Sequence, residues 1–145
     1  MKNSVEFWSD VCLECTRRDF SKKPDGSPPK PDQGGPTRTS RALAIIHLAM
    51  HDAHFGTTDP AATYLQRLAT PVALPAAPAP MSTDSAMGTA AAVTLLTLYP
   101  SHAAYINRMS AAFIDPDPSA VARDNGHSYG EAIAALMLTL RAGDG

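Results

Sequence analysis

The chain has 145 residues, of which 44% are hydrophobic and 18% charged, with a formal net charge of −2. That length suits one domain burying roughly 70% of its unfolded surface, and that charge gives no electrostatic case for nucleic acid or an anionic membrane. Two cysteines cannot build a disulfide framework, and no apolar run approaches the roughly 18 residues of a membrane span. The opening Met1-Lys2-Asn3-Ser4-Val5-Glu6 has no apolar stretch of signal-peptide type, which leaves the cytoplasm as the default location.

In chain order, the first predicted element is a helix over about 4–20. It places Val5, Trp8, Cys12 and Cys15 on one face, with Glu6, Asp10, Arg17 and Arg18 elsewhere. Residues 21–37 then read as a loop, because Pro24, Pro28, Pro29, Pro31 and Pro36 alternate with Gly26, Gly34 and Gly35. The next helix spans about 39–56, with Thr39 as N-cap and Gly56 as stop. It is apolar nearly all round, which predicts a central buried helix. A short helix follows, with Asp59 as cap, Pro60 at its first position, and Tyr64, Leu65 and Leu68 facing inward.

Pro71, Pro75, Pro78 and Pro80 make a second loop over about 70–81. Ser82 or Thr83 caps a helix running to Leu98, which Pro100 ends. Ser101 caps another to Phe113, and Asp117-Pro118 opens the last, which runs to Arg141 with Gly143 as stop. The reading is an all-α fold of five or six helices, a partial helical bundle forming one domain over 1–145 with two long Pro/Gly-rich loops. Loops this long in so small a chain either wrap over the packed body or contact something outside it.

Several constellations invite a chemical reading. His47 and His51 stand at i and i+4 on one helix face, where they can grip one metal ion, with Asp52 and His54 close by. Position 48 is Leu, so the Glu that serves as base in helical zinc hydrolases is absent. Cys12-x-x-Cys15 could complete a Cys2His2 zinc set, but the pair lies within a helix and far from the histidines. Core cysteines, and buried histidines bonded to backbone or carboxylate, are the expectation. A redox role for the cysteines would need a strand-to-helix junction. Gly34-Gly35-Pro36 lacks the lysine of a phosphate loop, and Asp115 and Asp117 flank a turn proline where capping accounts for them.

Three stretches together resemble a known family. Val5-Glu6-Phe7-Trp8-Ser9-Asp10-Val11-Cys12-Leu13-Glu14 with Arg17-Arg18, then Gly35-Pro36-Thr37 leading into Ser40–Phe55, then Ala90 to Leu98-Tyr99-Pro100, are similar to the opening of vanadium-dependent haloperoxidases. Tyr129-Gly130-Glu131 entering an apolar helix fits as well, so the resemblance covers nearly the whole chain. It implies an all-helical fold, kinship with the type-2 phosphatidic acid phosphatases, and peroxide-driven halide oxidation on a vanadate cofactor. The family's vanadate pocket uses a Lys followed by Arg-Pro, a Pro-Ser-Gly-His, and a Ser-Arg-x5-His. Cations and a Ser-Gly backbone hold the oxyanion there, and histidine supplies acid–base and metal-binding groups.

This chain has no Arg-Pro and no Ser-Gly-His. Asn125-Gly126-His127 and Pro100-Ser101-His102 each miss one essential residue. Ser40-Arg41-x5-His47 matches the third motif by letter, but it precedes any partner motif and puts Arg41 and His47 on different helix faces. No catalytic, cofactor-binding or metal-binding residue is therefore assigned. The chain reads as the N-terminal structural portion of a haloperoxidase-like oxidoreductase, inactive alone. Its partner is a missing C-terminal catalytic region, in the same or a separate chain, that binds vanadate in a full-length relative. The alternatives are a stand-alone helical interaction module that self-associates, or a small zinc protein using Cys12, Cys15, His47 and His51.

Overall fold

The structure, a computed structural model, describes residues 3–23 and 25–143; Pro24 of the first predicted loop and Met1-Lys2 of the N-terminus lie outside the described residues. These form six α-helices: α1 (Ser4–Asp19), α2 (Pro36–Thr58), α3 (Tyr64–Arg67), α4 (Thr83–Leu98), α5 (Ala103–Ala112) and α6 (Ala120–Leu140). Short 3-10 turns at Pro60–Ala62 and Pro100–His102 precede α3 and α5. Among the described residues there is no strand, so the all-α reading holds. No helix is long and apolar enough to cross a membrane.

Helix α4 is the central element, touching α1, α2, α5 and α6. It divides the interior into two cores. Met87, Ala91 and Leu95 face α1 and α5, with Trp8, Cys12, Cys15, Tyr99 and Ile106. Ala86 and Ala90 face α6, with Tyr129, Ile133, Ala134 and Met137. Helix α2 serves both cores through two stripes spaced four residues apart: Ala42, Ile46 and Met50 on one, Ile45, Ala49 and Ala53 on the other. It is not the central buried helix expected from its composition, because Ala44, His47 and His51 face solvent. Alanine fits an exposed helix position as well as a buried one, so an Ala-rich run overstates burial.

Glycine brings α4 and α6 together. A Cβ on Gly130 would collide with the Ala86 carbonyl oxygen and stand 2.9 Å from Thr89 Cβ; one on Gly126 would collide with the Ser82 carbonyl oxygen and stand 2.8 Å from Ser85 Cβ. The two glycines are one turn apart, so a strip of bare backbone lies directly on α4. Gly56 works similarly. It sits inside α2 rather than ending it, because the Tyr129 ring rests on it.

Helix ends depart from expectation in four further places. Gly35, not Thr39, caps α2 at φ 143°, and Thr39 Oγ1 donates 2.9 Å to the Gly35 carbonyl instead. Asp59 stands at the N-cap of the Pro60–Ala62 turn with Pro60 at its first position, as expected, but the helix breaks there and α3 takes Thr63 as its own cap. Ser101 caps nothing: its amide and hydroxyl both donate to Asp32, 3.0 and 2.8 Å away, and α5 starts two residues later. Asp117 accepts from the Ser119 amide at 2.8 Å in a turn, and Ser119 then caps α6 by accepting from Ala122, so the helix opens after Asp117-Pro118 rather than at it. Ser82 caps α4 as expected.

Both long loops wrap over the body. Asp19, buried at the end of α1, accepts from the Asp32 and Gln33 amides at 2.8 and 3.1 Å. Gln33 donates through its side chain to the Leu98 carbonyl. The second loop lays Val72, Leu74 and Met81 against the α4–α6 core, and Asn125 Nδ2 donates 2.7 Å to the Pro80 carbonyl.

The backbone contact makes Gly130→Ala the decisive packing test. It is expected to cost about 1–3 kcal/mol by overpacking, read as a lower urea midpoint at unchanged m-value. Gly143→Ala, where the added methyl meets nothing, should stay within about 0.5 kcal/mol of the parent.

Candidate functional site

A groove of about 520 Å3 opens between the N-terminal turns of α1 and α4 and the outer face of α2. The α1 wall supplies Asn3, Ser4 and Glu6, joined by a capping box in which Glu6 accepts 3.1 Å from the Asn3 amide. The α4 wall supplies Asp84, which accepts from Ser4 Oγ and ties the two helix starts together. The α2 wall is the histidine face, with His47, His51 and His54.

His47 and His51 are exposed, which corrects the expectation of buried histidines. Their bonding is of the anticipated kind. His47 Nδ1 lies 2.8 Å from the Leu43 carbonyl and His51 Nδ1 lies 2.9 Å from Asp52 Oδ1. Asp52 is fully buried and also accepts the Tyr64 and Leu65 amides at 2.7 and 2.9 Å, so it fixes α3 to α2 while orienting His51.

Cys12 and Cys15 are free thiols inside the α1–α4 core, beside Trp8. Burial pushes both up to about 12 from an ordinary value of 9.0, with further upward pressure on Cys12 from Cys15 and on Cys15 from Glu14 and Asp19. They are buried while the histidines face solvent, so a Cys2His2 set does not assemble. Among the described residues, the three ligand-type side chains that do converge are Asp19, Asp32 and His102, whose donor atoms lie within 4.8 Å of one another. Both oxygens of each aspartate are already engaged there by backbone amides or Ser101, and His102 Nε2 stands 3.3 Å from Asp19. This is the clamp on the first loop.

The letter match Ser40-Arg41-x5-His47 does not converge on an oxyanion. Ser40 Oγ donates 2.9 Å to the Pro36 carbonyl, Arg41 donates to the Arg141 carbonyl at the end of α6, and His47 points toward Ser9 of α1 at 3.3 Å. The near-matches are also engaged. Gly126 is packed against Ser82, while His127 bonds Thr89 at 2.9 Å and faces Glu131 at 3.3 Å. Asp115 accepts from Ser82 Oγ at 2.6 Å, from Ser85 Oγ, and from the Asp117 amide at 2.7 Å. Burial alone would raise its carboxyl, but these donors outweigh burial and hold it below its ordinary value. It thus works as a cap linking α4 to the α5–α6 connection. Among the described residues these motif side chains do not gather into a donor set that fits vanadate.

The fold and its polar network define a class: an all-α bundle domain in which buried carboxylates hold helix ends and loops. The chain belongs to the vanadium chloroperoxidase N-terminal domain family, which matches it over residues 1–143. No curated protein and no solved structure matches it. Sequence reasoning missed Asp19 and Asp52 as structural centres; the only signal was an acidic residue at a helix end or inside an apolar run, which many surface positions share.

Thiol chemistry checks the core. Native protein at pH 8 should leave Cys12 and Cys15 unmodified by an aromatic disulfide reagent, and denatured protein should react at both. A raised thiol pKa means that the folded chain keeps protons the unfolded chain gives up. This contribution is complete below pH 9 and lost as pH rises toward about 12, so alkaline urea midpoints should fall through that window.

Proposed function

We propose that this chain is the helical N-terminal portion of a vanadium chloroperoxidase-type oxidoreductase, a scaffold for a catalytic region outside these residues. The family match over residues 1–143 carries the reading. Vanadate, bound by that other region, supplies the peroxide activation for halide oxidation. The residues of this chain contribute rigidity: Asp19, Asp52 and Asp115 pin the loops and short turns, and the glycine strip on α6 locks it to α4.

Two further observations support a scaffold. The motif residues Ser40, Arg41 and His47 bond to three different elements. Val5 and Leu13 of α1 are also exposed, 52% and 57%, with Phe20 at 45% beyond its end. Val5 was expected in the core. It shares the face of Trp8 and Cys12 by angle but stands in the first turn of α1, beyond the end of the core, where it lines the groove. Exposed apolar side chains such as Leu13 and Phe20 are suited to covering by more protein.

The test is direct. The purified chain, mixed with orthovanadate, hydrogen peroxide and bromide, should brominate a cyclic dione no faster than the protein-free mixture. Its addition should leave the vanadium-51 resonance of vanadate unbroadened. Bromination that disappears in Arg41→Ala or His47→Ala would overturn the assignment and make this chain the vanadate-binding part.

A further inference from the structure

His47, His51 and His54 follow one another at intervals of four and three residues, which sets them in one stripe along α2. Phe55 stacks near His51 and His54, with ring centroids 4.7 and 4.9 Å away, which leaves His54 packed edge-on and partly covered. His47 and His51 are the open pair.

Their hydrogen bonds settle where the lone pairs lie. A backbone carbonyl accepts and cannot donate, and the Asp52 carboxylate already takes two backbone amides as an acceptor. Each neutral imidazole must therefore carry its hydrogen on Nδ1, toward Leu43 and Asp52 respectively, and its lone pair on Nε2. The acceptors sit on the inner side of the rings, one on the helix backbone and one on a fully buried side chain. Each Nε2 therefore carries the lone pair on the side of the ring away from that acceptor, and both rings line the groove between α2 and the starts of α1 and α4. Ser9 Oγ stands 3.3 Å from His47 Nε2, a long bond that an incoming ion can displace.

This is the arrangement that metal-binding histidines use: one nitrogen free, and the other holding a carboxylate or carbonyl that fixes ring orientation and raises ligand basicity. Side chains at i and i+4 stand about 5–6 Å apart at Cβ, a spacing that one ion can bridge. Glu6 and Asp84 line the same groove and add negative charge opposite. The clamp of Asp19, Asp32 and His102 differs, since its carboxylate oxygens are occupied by the fold itself.

We propose that His47 and His51 form a binding site for one divalent transition-metal ion of the imidazole-preferring kind, Zn2+, Cu2+ or Ni2+. The two Nε2 atoms are the protein ligands, and water completes the coordination shell. Asp52 and the Leu43 carbonyl are the positioning groups. Hard ions such as Mg2+ and Ca2+ require oxygen cages and are excluded. Leu48 stands where a hydrolytic site would carry its base, so the site binds and does not hydrolyse. It is independent of the scaffold role, because no vanadate chemistry enters it.

Calorimetric titration of the full chain with Cu2+ and with Zn2+ tests this. One equivalent should bind, Cu2+ more tightly than Zn2+, and Mg2+ should give no heat. His47→Ala and His51→Ala should each weaken binding by roughly tenfold or more, at least the cost of losing an outer-shell partner. His127→Ala, at an exposed histidine on α6, should leave it unchanged. Both rings lie on the solvent side, so far-UV dichroism should show all three variants folded. The Cu2+ spin-resonance spectrum should carry two imidazole nitrogens in the parent and one in either single variant. Absence of stoichiometric binding would overturn the proposal, as would binding that survives the double variant or that moves with His102→Ala.

Discussion

The contact on which the rest of this bundle depends is the bare-backbone approach of α6 to α4 at Gly126 and Gly130. Side chains normally hold helix axes 8–10 Å apart; where both helices present glycine, alanine or serine, the backbones themselves meet. Here the partners are Ser82, Ser85, Ala86 and Thr89. With α6 pressed this close, α4 is enclosed on nearly every side and becomes the partition between two cores. Helix α2 packs on both α4 and α6 through its two stripes, and its third side meets water. His47 and His51 lie on that third side.

A bundle with two proline-rich loops still needs fixed connections, and three carboxylates provide them. Asp19 holds the first loop through two backbone amides, Asp52 holds α3 through two more, and Asp115 gathers Ser82, Ser85 and the Asp117 amide. Each takes donors that would otherwise be unpaired near the core, and an unsatisfied buried donor costs about 1–3 kcal/mol. The same acceptor capacity gives Asp52 a second effect, because one of its oxygens also faces the His51 ring and sets its tautomer.

The helices were legible because proline and glycine punctuate the chain clearly and the segments between them are apolar at helical spacing. Family membership was legible in the stretches running from Val5 to Arg18 and from Gly35 to Phe55. The errors have physical causes. Alanine carries no information about which face it occupies, so α2 looked buried on all sides. Glycine has two uses, ending a helix or admitting a neighbour, and only the tertiary position of Tyr129 decides the second for Gly56. Serine and aspartate caps compete with longer-range partners: Ser101 is claimed by Asp32, sixty-nine residues away in sequence. Val5 lies on the right face by angle but beyond the end of the core.

The histidine face shows why spacing alone is a weak guide to function and geometry a stronger one. Ser40, Arg41 and His47 match a pocket motif by letter, yet the helix sends them to Pro36, to α6 and toward α1. In His47 and His51 the spacing itself is unremarked by any pocket motif, and what distinguishes them is the acceptor behind each ring. An imidazole on a free surface samples both tautomers and many rotamers, and a ligand must select one of them. Two imidazoles whose Nδ1 hydrogens are already anchored have paid that ordering cost during folding. The same buried Asp52 that closes the fold over α3 therefore leaves the outer surface of α2 ordered for a metal ion.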